Sequence, residues 1–276
     1  MELLREGTKF IVYCAIIVLI SKYVLVVNIR KLAKNFKLKP RIVGNIAGYA
    51  TSVPELLTVT ASSFNGLLGA SIYNVLSSNI INFVQYISTI FINKNQKKLN
   101  NLALKIDMFL VISTIIIPIF LIGANIRISI WTVMVFILLY IIFTYINGNA
   151  HKIYIKNEIV DVEEEKNVDS LWANFKYIFL LALSGILLFL VGDLLGTTLE
   201  NLCYIFKVPE VVIGVLLGFI TSIPELITFI ESQKHHKNSE NDLHGVVEAT
   251  NNLFTSNILN LFIIQSIGVL IYEIFA

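Results

Sequence analysis

Eight predominantly apolar runs, each long enough to cross a bilayer, constrain this 276-residue chain more than any other feature. A hydrocarbon core about 30 Å thick takes about 17–25 residues of helix. Hydropathy places the spans at about 10–28, 42–64, 66–92, 107–123, 128–147, 177–197, 210–231 and 244–272. Lipid offers the backbone no hydrogen bonds, so segments of this kind are helices. Composition agrees: 56% of residues are hydrophobic and 14% charged, where an average soluble domain carries about 25% charged. A soluble fold of this size has no means of covering so much apolar surface. The expected fold class is an all-α polytopic membrane protein of about eight transmembrane helices.

The polar stretches divide the chain and orient it. Residues 1–147 form a first membrane half and 174–276 a second; between them, 148–173 is a polar connector with the acidic run Glu163, Glu164, Glu165, read as solvated. Loops on one side carry sixteen basic residues: Arg30, Lys31, Lys34, Lys37, Lys39, Arg41, Lys94, Lys97, Lys98, Lys105, Lys152, Lys156, Lys166, Lys176, Lys234 and Lys237. The other side has Arg5, Lys9, Arg127 and Lys207, while Lys22 lies inside the first span. Basic loops stay cytoplasmic. The N-terminus is therefore expected outside and the connector in the cytoplasm, in a plasma (inner) membrane. The flank Met1–Lys9 carries both signs of charge and no small-residue cleavage site follows, so the first run reads as a retained span. A net charge of +2, with no basic patch interleaved with aromatics, argues against nucleic acid as a partner. Cys14 and Cys203 sit in apolar surroundings and read as buried thiols.

Two parts of the chain repeat one another. Thr51-Ser52-Val53-Pro54-Glu55-Leu56-Leu57-Thr58 returns as Thr221-Ser222-Ile223-Pro224-Glu225-Leu226-Ile227-Thr228, at an offset of 170. Asn74-Val75-Leu76-Ser77-Ser78-Asn79-Ile80-Ile81-Asn82 returns as Asn252-Leu253-Phe254-Thr255-Ser256-Asn257-Ile258-Leu259-Asn260, at an offset of 178. The eight extra residues fall in the polar connector around His235 and His236, which together with His244 read as solvated. The repeats cover about 42–92 and 210–272. Five spans separate their starts, and an odd number makes them enter the membrane from opposite faces. This is an inverted-topology repeat, the architecture of many secondary transporters, whose ion sites lie near the midplane where the copies meet.

The repeated residues suit a hard cation. Glu55 and Glu225 lie mid-span, where an ionised carboxylate costs about 2.5–3.5 kcal/mol on insertion scales, and no Lys or Arg shares their spans. Pro54 and Pro224 lack a backbone donor and are expected to break their helices at the midplane. The break is expected to free carbonyls around Gly48 to Thr51 and Gly218 to Thr221. Ser52 and Ser222, each three residues before its Glu, also fit a capping box, which needs no ion. Asn74, Ser78 and Asn82 form one stripe; Asn252, Ser256 and Asn260 form another, with Glu248 one turn earlier. Such stripes also hold membrane helices together, a reading that applies best to Asn74 and Asn252. Two carboxylates and the carbonyls at Thr51 and Thr221 approach the roughly 6–8 oxygens that calcium takes. No His and Cys cluster accompanies them, which argues against zinc or copper.

At these residues the sequence resembles the cation/calcium exchanger superfamily, most closely its prokaryotic sodium/calcium exchangers. The resemblance rests on the paired Thr-Ser-x-Pro-Glu and Ser-Asn-Ile-x-Asn segments and covers about half the chain. It implies that Glu55 and Glu225 are the central calcium-binding carboxylates, that Thr51 and Thr221 lend carbonyls, and that Asn82 and Asn260 complete the cluster. Ser52, Ser78, Ser222 and Ser256, with the backbone near Gly48 and Gly218, would line flanking sodium sites. It further implies alternating access by sliding of the first and sixth helices over a rigid core. The chain departs from the family at Ala50, Ile220, Ser77 and Thr255, where glycines are usual, and at Asn260, often Asp. Lys22 puts a charge in a helix expected to slide, either snorkelling to the cytoplasmic edge or pairing with Asp193. Family members have ten spans. The two that would mirror the fourth and fifth are expected from a second polypeptide or a neighbouring subunit of a homo-oligomer, unless the chain is a shortened product or the core packs without them.

The function expected is a secondary active antiporter exchanging calcium for sodium, with no cofactor. Ser and Thr oxygens favour sodium over the alternative, a calcium/proton or other cation/proton exchanger. An alternative of another class is a cation-binding membrane partner or scaffold that does not transport. No Ser/His/Asp set, His-Glu-x-x-His or nucleotide loop marks an enzyme.

Overall fold

Every expected span is helical, and most helices run past the apolar stretch that announced them. The computed structural model describes residues 2–64, 66–125, 129–154, 171–207, 209–235 and 243–275. The acidic run Glu163–Glu165, Arg127, Lys156, Lys166, His236 and Lys237 lie outside the described residues, as do the side chains of Cys14, Lys22, Lys34 and Cys203. The first span is α1 (Glu2–Ile20) continued through a π turn, Ser21–Leu25, into α2 (Val26–Asn35). The second is broken into α3 (Pro40–Thr51) and α4 (Val53–Phe64). Next come α5 (Leu68–Ile92), α6 (Leu102–Gly123), α7 (Ile130–Tyr154) and α8 (Leu171–Phe206). A second broken span, α9 (Glu210–Thr221) and α10 (Ile223–His235), precedes α11 (Leu243–Ile258), which passes through a π turn, Leu259–Ile264, into α12 (Gln265–Phe275).

Helix ends outrun hydropathy because a helix continues as an amphipathic element once it leaves the lipid. Helix α2, with Arg30, Lys31 and Lys34, is such an extension. The connector read as 148–173 is accordingly shorter than expected, since α7 runs to Tyr154 and α8 begins at Leu171. His244, read as solvated, sits in the first turn of α11 and is buried. Among the described residues, six helical stretches are long and apolar enough to cross a membrane: Leu68–Ile92, Leu102–Gly123, Ile130–Tyr154, Asn174–Thr198, Glu210–His235 and Leu243–Phe275. Of the other two expected spans, the first begins inside α1, a helix opened by Arg5, Glu6 and Lys9, and the second, 40–64, is rich in Ser and Thr. The protein is an integral membrane protein with an all-α fold.

The two repeats interlock rather than stand side by side. Helix α3 packs against α11 of the other repeat, and α9 against α5. Glycine permits this approach: a Cβ at Gly48 would stand 2.9 Å from the Asn252 carbonyl, and one at Gly218 2.7 Å from the Asn74 carbonyl. Ser77 and Thr255 sit at these crossings and hold them. Ser77 donates to the Gly214 carbonyl at 3.3 Å, and Thr255 to Asn45 Oδ1 at 3.1 Å.

Around this core the remaining helices form two flanks. Helices α6 and α7 cover the α11–α12 side, where Phe262 meets Phe136 and Phe143 at centroid distances of 5.7 and 5.2 Å. On the other flank α1 and α2 pack along α8 through Ile17, Leu25, Val26, Ile29, Leu188 and Leu195. Asn35 Nδ2 donates to Asn174 Oδ1 at 2.6 Å, tying the ends of that pair. Burial follows this plan: 22–28% of the spans in α6, α7 and α8 is buried, against 44–56% of those in α5, α9–α10 and α11–α12. The exposed remainder is largely apolar, as lipid requires, with Asp193 of α8 an exposed exception.

Candidate cation site at the repeat interface

Both breaks fall on one residue. Ser52 (φ −82°, ψ 3°) separates α3 from α4, and Ser222 (φ −78°, ψ 0°) separates α9 from α10. The expected opening of several carbonyls is smaller than anticipated. Gly48 C=O still accepts from Ser52 N–H at 3.2 Å, and Gly218 C=O from Ser222 N–H at 3.2 Å. Proline deletes a donor, but the chain turns tightly enough to keep those bonds. Each of these carbonyls then receives a hydroxyl from the opposite repeat: Ser256 Oγ reaches Gly48 O at 3.4 Å and Ser78 Oγ reaches Gly218 O at 3.3 Å.

The capping-box reading fails here. Ser52 and Ser222 spend their N–H groups on the glycine carbonyls, Ser222 Oγ donates to Gly218 O at 2.7 Å, and Ser52 Oγ has no hydrogen-bond partner. The Glu55 and Glu225 carboxylates therefore do not reach back to cap the helix. Both are completely buried, and none of their oxygens has a hydrogen-bond partner. Thr221 and Ser78 stand beside Glu55, with Ser78 Oγ and Thr221 Oγ1 3.3 Å apart. Thr51 and Ser256 stand beside Glu225, and the two carboxylates lie within electrostatic reach of each other. Each Glu thus faces a Thr from the other repeat and a Ser from its own.

The asparagines complete the arrangement with near-equal bonds in the two copies. Asn79 Nδ2 donates to the Asn257 carbonyl and Asn257 Nδ2 to the Asn79 carbonyl, both at 3.1 Å. Asn82 Nδ2 donates to Asn257 Oδ1 and Asn260 Nδ2 to Asn79 Oδ1, both at 3.3 Å. These bonds hold the Asn82 and Asn260 amides with their Oδ1 atoms buried and without a partner. Asn74 and Asn252 act as the helix-joining reading anticipated: Asn74 donates to Thr58 at 2.6 Å, and Asn252 donates to Thr228. All the expected side chains, Thr51, Ser52, Glu55, Ser78, Asn82, Thr221, Ser222, Glu225, Ser256 and Asn260, are buried in this network, with Gly48 and Gly218 at its crossings.

Six oxygens thereby stand out: both of Glu55, both of Glu225, Asn82 Oδ1 and Asn260 Oδ1. All are buried acceptors without donors, at a depth where lipid supplies no water. A buried charge without a partner is among the most costly features a fold can carry. A cation resolves it, and six oxygens meet the lower end of the about 6–8 that calcium takes.

Four supporting residues were not singled out in the sequence as site residues. Asn79, Asn257, Thr58 and Thr228 lie inside the repeated segments, and their recurrence at offsets of 178 and 170 was the available signal. A separate buried network had no such signal. Asp107 Oδ2 pairs with His151 Nε2 at 2.7 Å, while Asn147 Nδ2 donates to Asp107 Oδ1 at 2.8 Å and to Asn251 Oδ1 at 3.2 Å. It joins α6, α7 and α11 away from the glutamates.

A family model described as sodium/calcium exchanger protein matches residues 8–148 and 176–275. No curated protein matches the sequence. Among solved structures, the sodium-calcium exchanger NCX_Mj soaked with 10 mM Na+ and zero Ca2+ is similar at a TM-score of 0.60 and 22% identity, over 98% of this chain and 84% of that one. The same exchanger soaked with 100 mM Na+ and 10 mM Sr2+ gives a TM-score of 0.61 and 22% identity, over 98% and 83%. At this identity the likeness is one of fold.

Proposed function

From a chain that belongs to the sodium/calcium exchanger protein family, we propose a secondary active antiporter that exchanges calcium for sodium. The carrying observation is the set of six buried acceptor oxygens on Glu55, Glu225, Asn82 and Asn260 with no protein donor. Two carboxylates balance the charge of one calcium ion or of two sodium ions. Competition for one pair of charges is the simplest basis for exchange. Calcium sits between Glu55 and Glu225, with the Asn82 and Asn260 oxygens and the Thr51 and Thr221 carbonyls completing its shell. Sodium takes flanking positions lined by Ser52, Ser78, Ser222, Ser256 and the backbone at Gly48 and Gly218. The unpartnered Ser52 hydroxyl supports sodium over protons, because a proton needs one acceptor and not a cage of oxygens.

Access alternates as the α1–α2 and α8 pair slides over the core. Its contacts with the core are largely apolar, and apolar contact is non-directional. The sixteen basic residues favour a cytoplasmic location for the face bearing the ends of α2 and α7 and the starts of α3 and α11, in a plasma membrane with the N-terminus outside. Residues 1–147 and 174–276 act as the two membrane halves. A second polypeptide or neighbouring subunit covers the face of α5 that α6 and α7 leave bare.

Calcium-tracer uptake into proteoliposomes, driven in turn by an outward sodium gradient and by a proton gradient, tests this. Sodium-driven uptake abolished by Glu55→Gln or Glu225→Gln is the expected result. Uptake with protons alone replaces sodium by the proton as counter-ion. No flux under either gradient, with calcium still raising the melting temperature, means a binding protein and not a transporter.

A further inference from the structure

Among the described residues, a hydrogen-bonded ion pair crosses the interface on which sliding is proposed to occur. Arg30, on α2, donates from Nη2 to Glu248 Oε1 of α11 at 3.1 Å, and Ser232 of α10 donates to the same oxygen at 2.7 Å. The side chains are 18% and 5% exposed, so this pair is screened little by solvent. It lies in a narrow cleft, with room for about one water, lined by Val26, Ile29, Ala47 and Thr228 besides the three polar residues. Glu248 is one turn from Asn252, Thr228 accepts from Asn252, and Ala47 precedes Gly48, whose carbonyl belongs to the cation site.

The two repeats differ at this point. The first-repeat counterparts of Thr228 and Ser232 are Thr58 and Ser62, but that of Glu248, by the same offset as Asn252, is Ala70. One face of the molecule therefore carries a carboxylate where the other carries a methyl group. The neighbouring contacts between α2 and the core, through Val26, Ile29, Val43 and Ala47, are apolar and tolerate a shift in register. A hydrogen-bonded ion pair is directional and does not.

We propose that Arg30 and Glu248 form a latch that holds this cleft closed, and that α2 must release it before the cation site opens to this face. The proposal rests on the sliding reading above. With the latch made, the guanidinium occupies the carboxylate as a tethered cation. With it broken, Glu248 faces the widened cleft beside Ser232 and Thr228.

A cysteine at Ala47, in a Cys14→Ser/Cys203→Ser background, reports on the cleft through its reaction with a membrane-impermeant methanethiosulfonate. The reagent is applied to right-side-out and inside-out vesicles. Ala47 is 4% exposed, so the reporter is slow while the latch holds. Arg30→Gln and Glu248→Gln are expected to raise its rate about tenfold from one side only, a shift in the opening equilibrium. Arg30→Lys, which keeps a charge in reach, and the reversed pair Arg30→Glu/Glu248→Arg are expected to stay near the parent rate. A second reporter, Ser62→Cys, marks the opposite face and is expected not to speed up. Equal rates in all variants overturn the latch, as does a rise at both reporters, which signals general loosening. The labelling needs no flux. Latch-dependent labelling without transport removes the antiporter reading and keeps the latch; transport with latch-independent labelling does the reverse.

Discussion

Phe262 and Val84 occupy the same position in the two repeats, yet Phe262 is fully buried against Phe136 and Phe143 while Val84 is 56% exposed. The inequality extends along the helix. Ile258 is 2% exposed where Ile80 is 37%, and Val269 1% where Phe91 is 60%. Helices α6 and α7 make the difference, since they cover only one of the two equivalent faces. Phe262→Ala is therefore expected to cost about 3 kcal/mol through lost packing, and Val84→Ala under about 0.5 kcal/mol. Denaturant titration in detergent measures both. If a second chain covers α5 in native membranes, a photoreactive side chain at Val84 captures it, and one at the lipid-facing Ile116 of α6 does not.

Removing either buried carboxylate abolishes calcium-dependent stabilisation. A ligand that binds only the folded state stabilises it by about 2.7 kcal/mol at a hundred times its Kd. Wild type is expected to show a calcium-dependent rise in melting temperature, and Glu55→Gln and Glu225→Gln are expected to show none. Without calcium the two variants should melt higher than wild type, because each replaces a buried carboxyl whose oxygens find no protein partner and whose ionised form nothing compensates. A variant that melts lower without calcium and still responds to it contradicts the assignment.

The interlocking of the repeats depends on glycine where the helices cross. Gly218→Ala places a methyl group 2.7 Å from the Asn74 carbonyl and 2.8 Å from Ser78 N, both backbone atoms. Neither neighbour can turn away, so the helices must separate, at a cost of about 1–3 kcal/mol. The separation also moves Ser78 off the Gly218 carbonyl and widens the site, so weaker calcium binding accompanies the lower stability. Gly185→Ala in α8, where a Cβ meets nothing within 4 Å, is expected to be neutral or slightly stabilising. Melting temperatures and calcium titrations of the two variants side by side check the contrast.

Much of the site was legible because its chemistry is written twice. Glu55 and Glu225 were conspicuous as mid-span carboxylates, and the Asn and Ser stripes were conspicuous by their spacing of four. Their tertiary use was less visible. Ser-x-x-Glu specifies a capping box in a soluble helix, but here the serine N–H groups go to Gly48 and Gly218, and only the fold reveals it. The cross-packing of α3 on α11 and of α9 on α5 left a trace in Gly44, Gly48, Gly214 and Gly218, spaced by one turn in each half-helix. That trace does not name the partner helix. Arg30 lies outside both repeats and far in sequence from Glu248, as Asp107 does from His151, so no periodicity pointed to either pairing. His244 read as solvated because it adjoins a polar connector; helix α11 begins at Leu243 and carries it inward.

Asn79 and Asn257 turn their amides to protein partners, and the geometry of the site depends on them. Each exchanges a 3.1 Å bond with the other's backbone, and each offers its Oδ1 to an amide of the opposite repeat at 3.3 Å. That amide belongs to Asn82 or Asn260, so the brace fixes the site asparagine's orientation and leaves its Oδ1 buried and without a partner. Asn257→Ala strands Asn82 Nδ2 without an acceptor, and Asn79→Ala does the same to Asn260 Nδ2. A stranded amide turns to find a new partner, and its Oδ1 no longer points where a cation would sit. Each substitution is expected to weaken calcium binding about tenfold, the effect of losing one charge-assisted contact of about 1.4 kcal/mol, with Glu55 and Glu225 untouched. Because the bonds are equal in the two copies, the two variants should lose equal affinity. Asn74→Ala and Asn252→Ala sever the links to Thr58 and Thr228 and remove the amide oxygens that accept from Ser78 and Ser256, but they leave the Asn82 and Asn260 amides braced, and are expected to lower the melting temperature with a smaller change in affinity. Calorimetric titration with calcium, paired with thermal unfolding, separates the two classes; an affinity loss confined to one of Asn79 and Asn257 contradicts the symmetric brace.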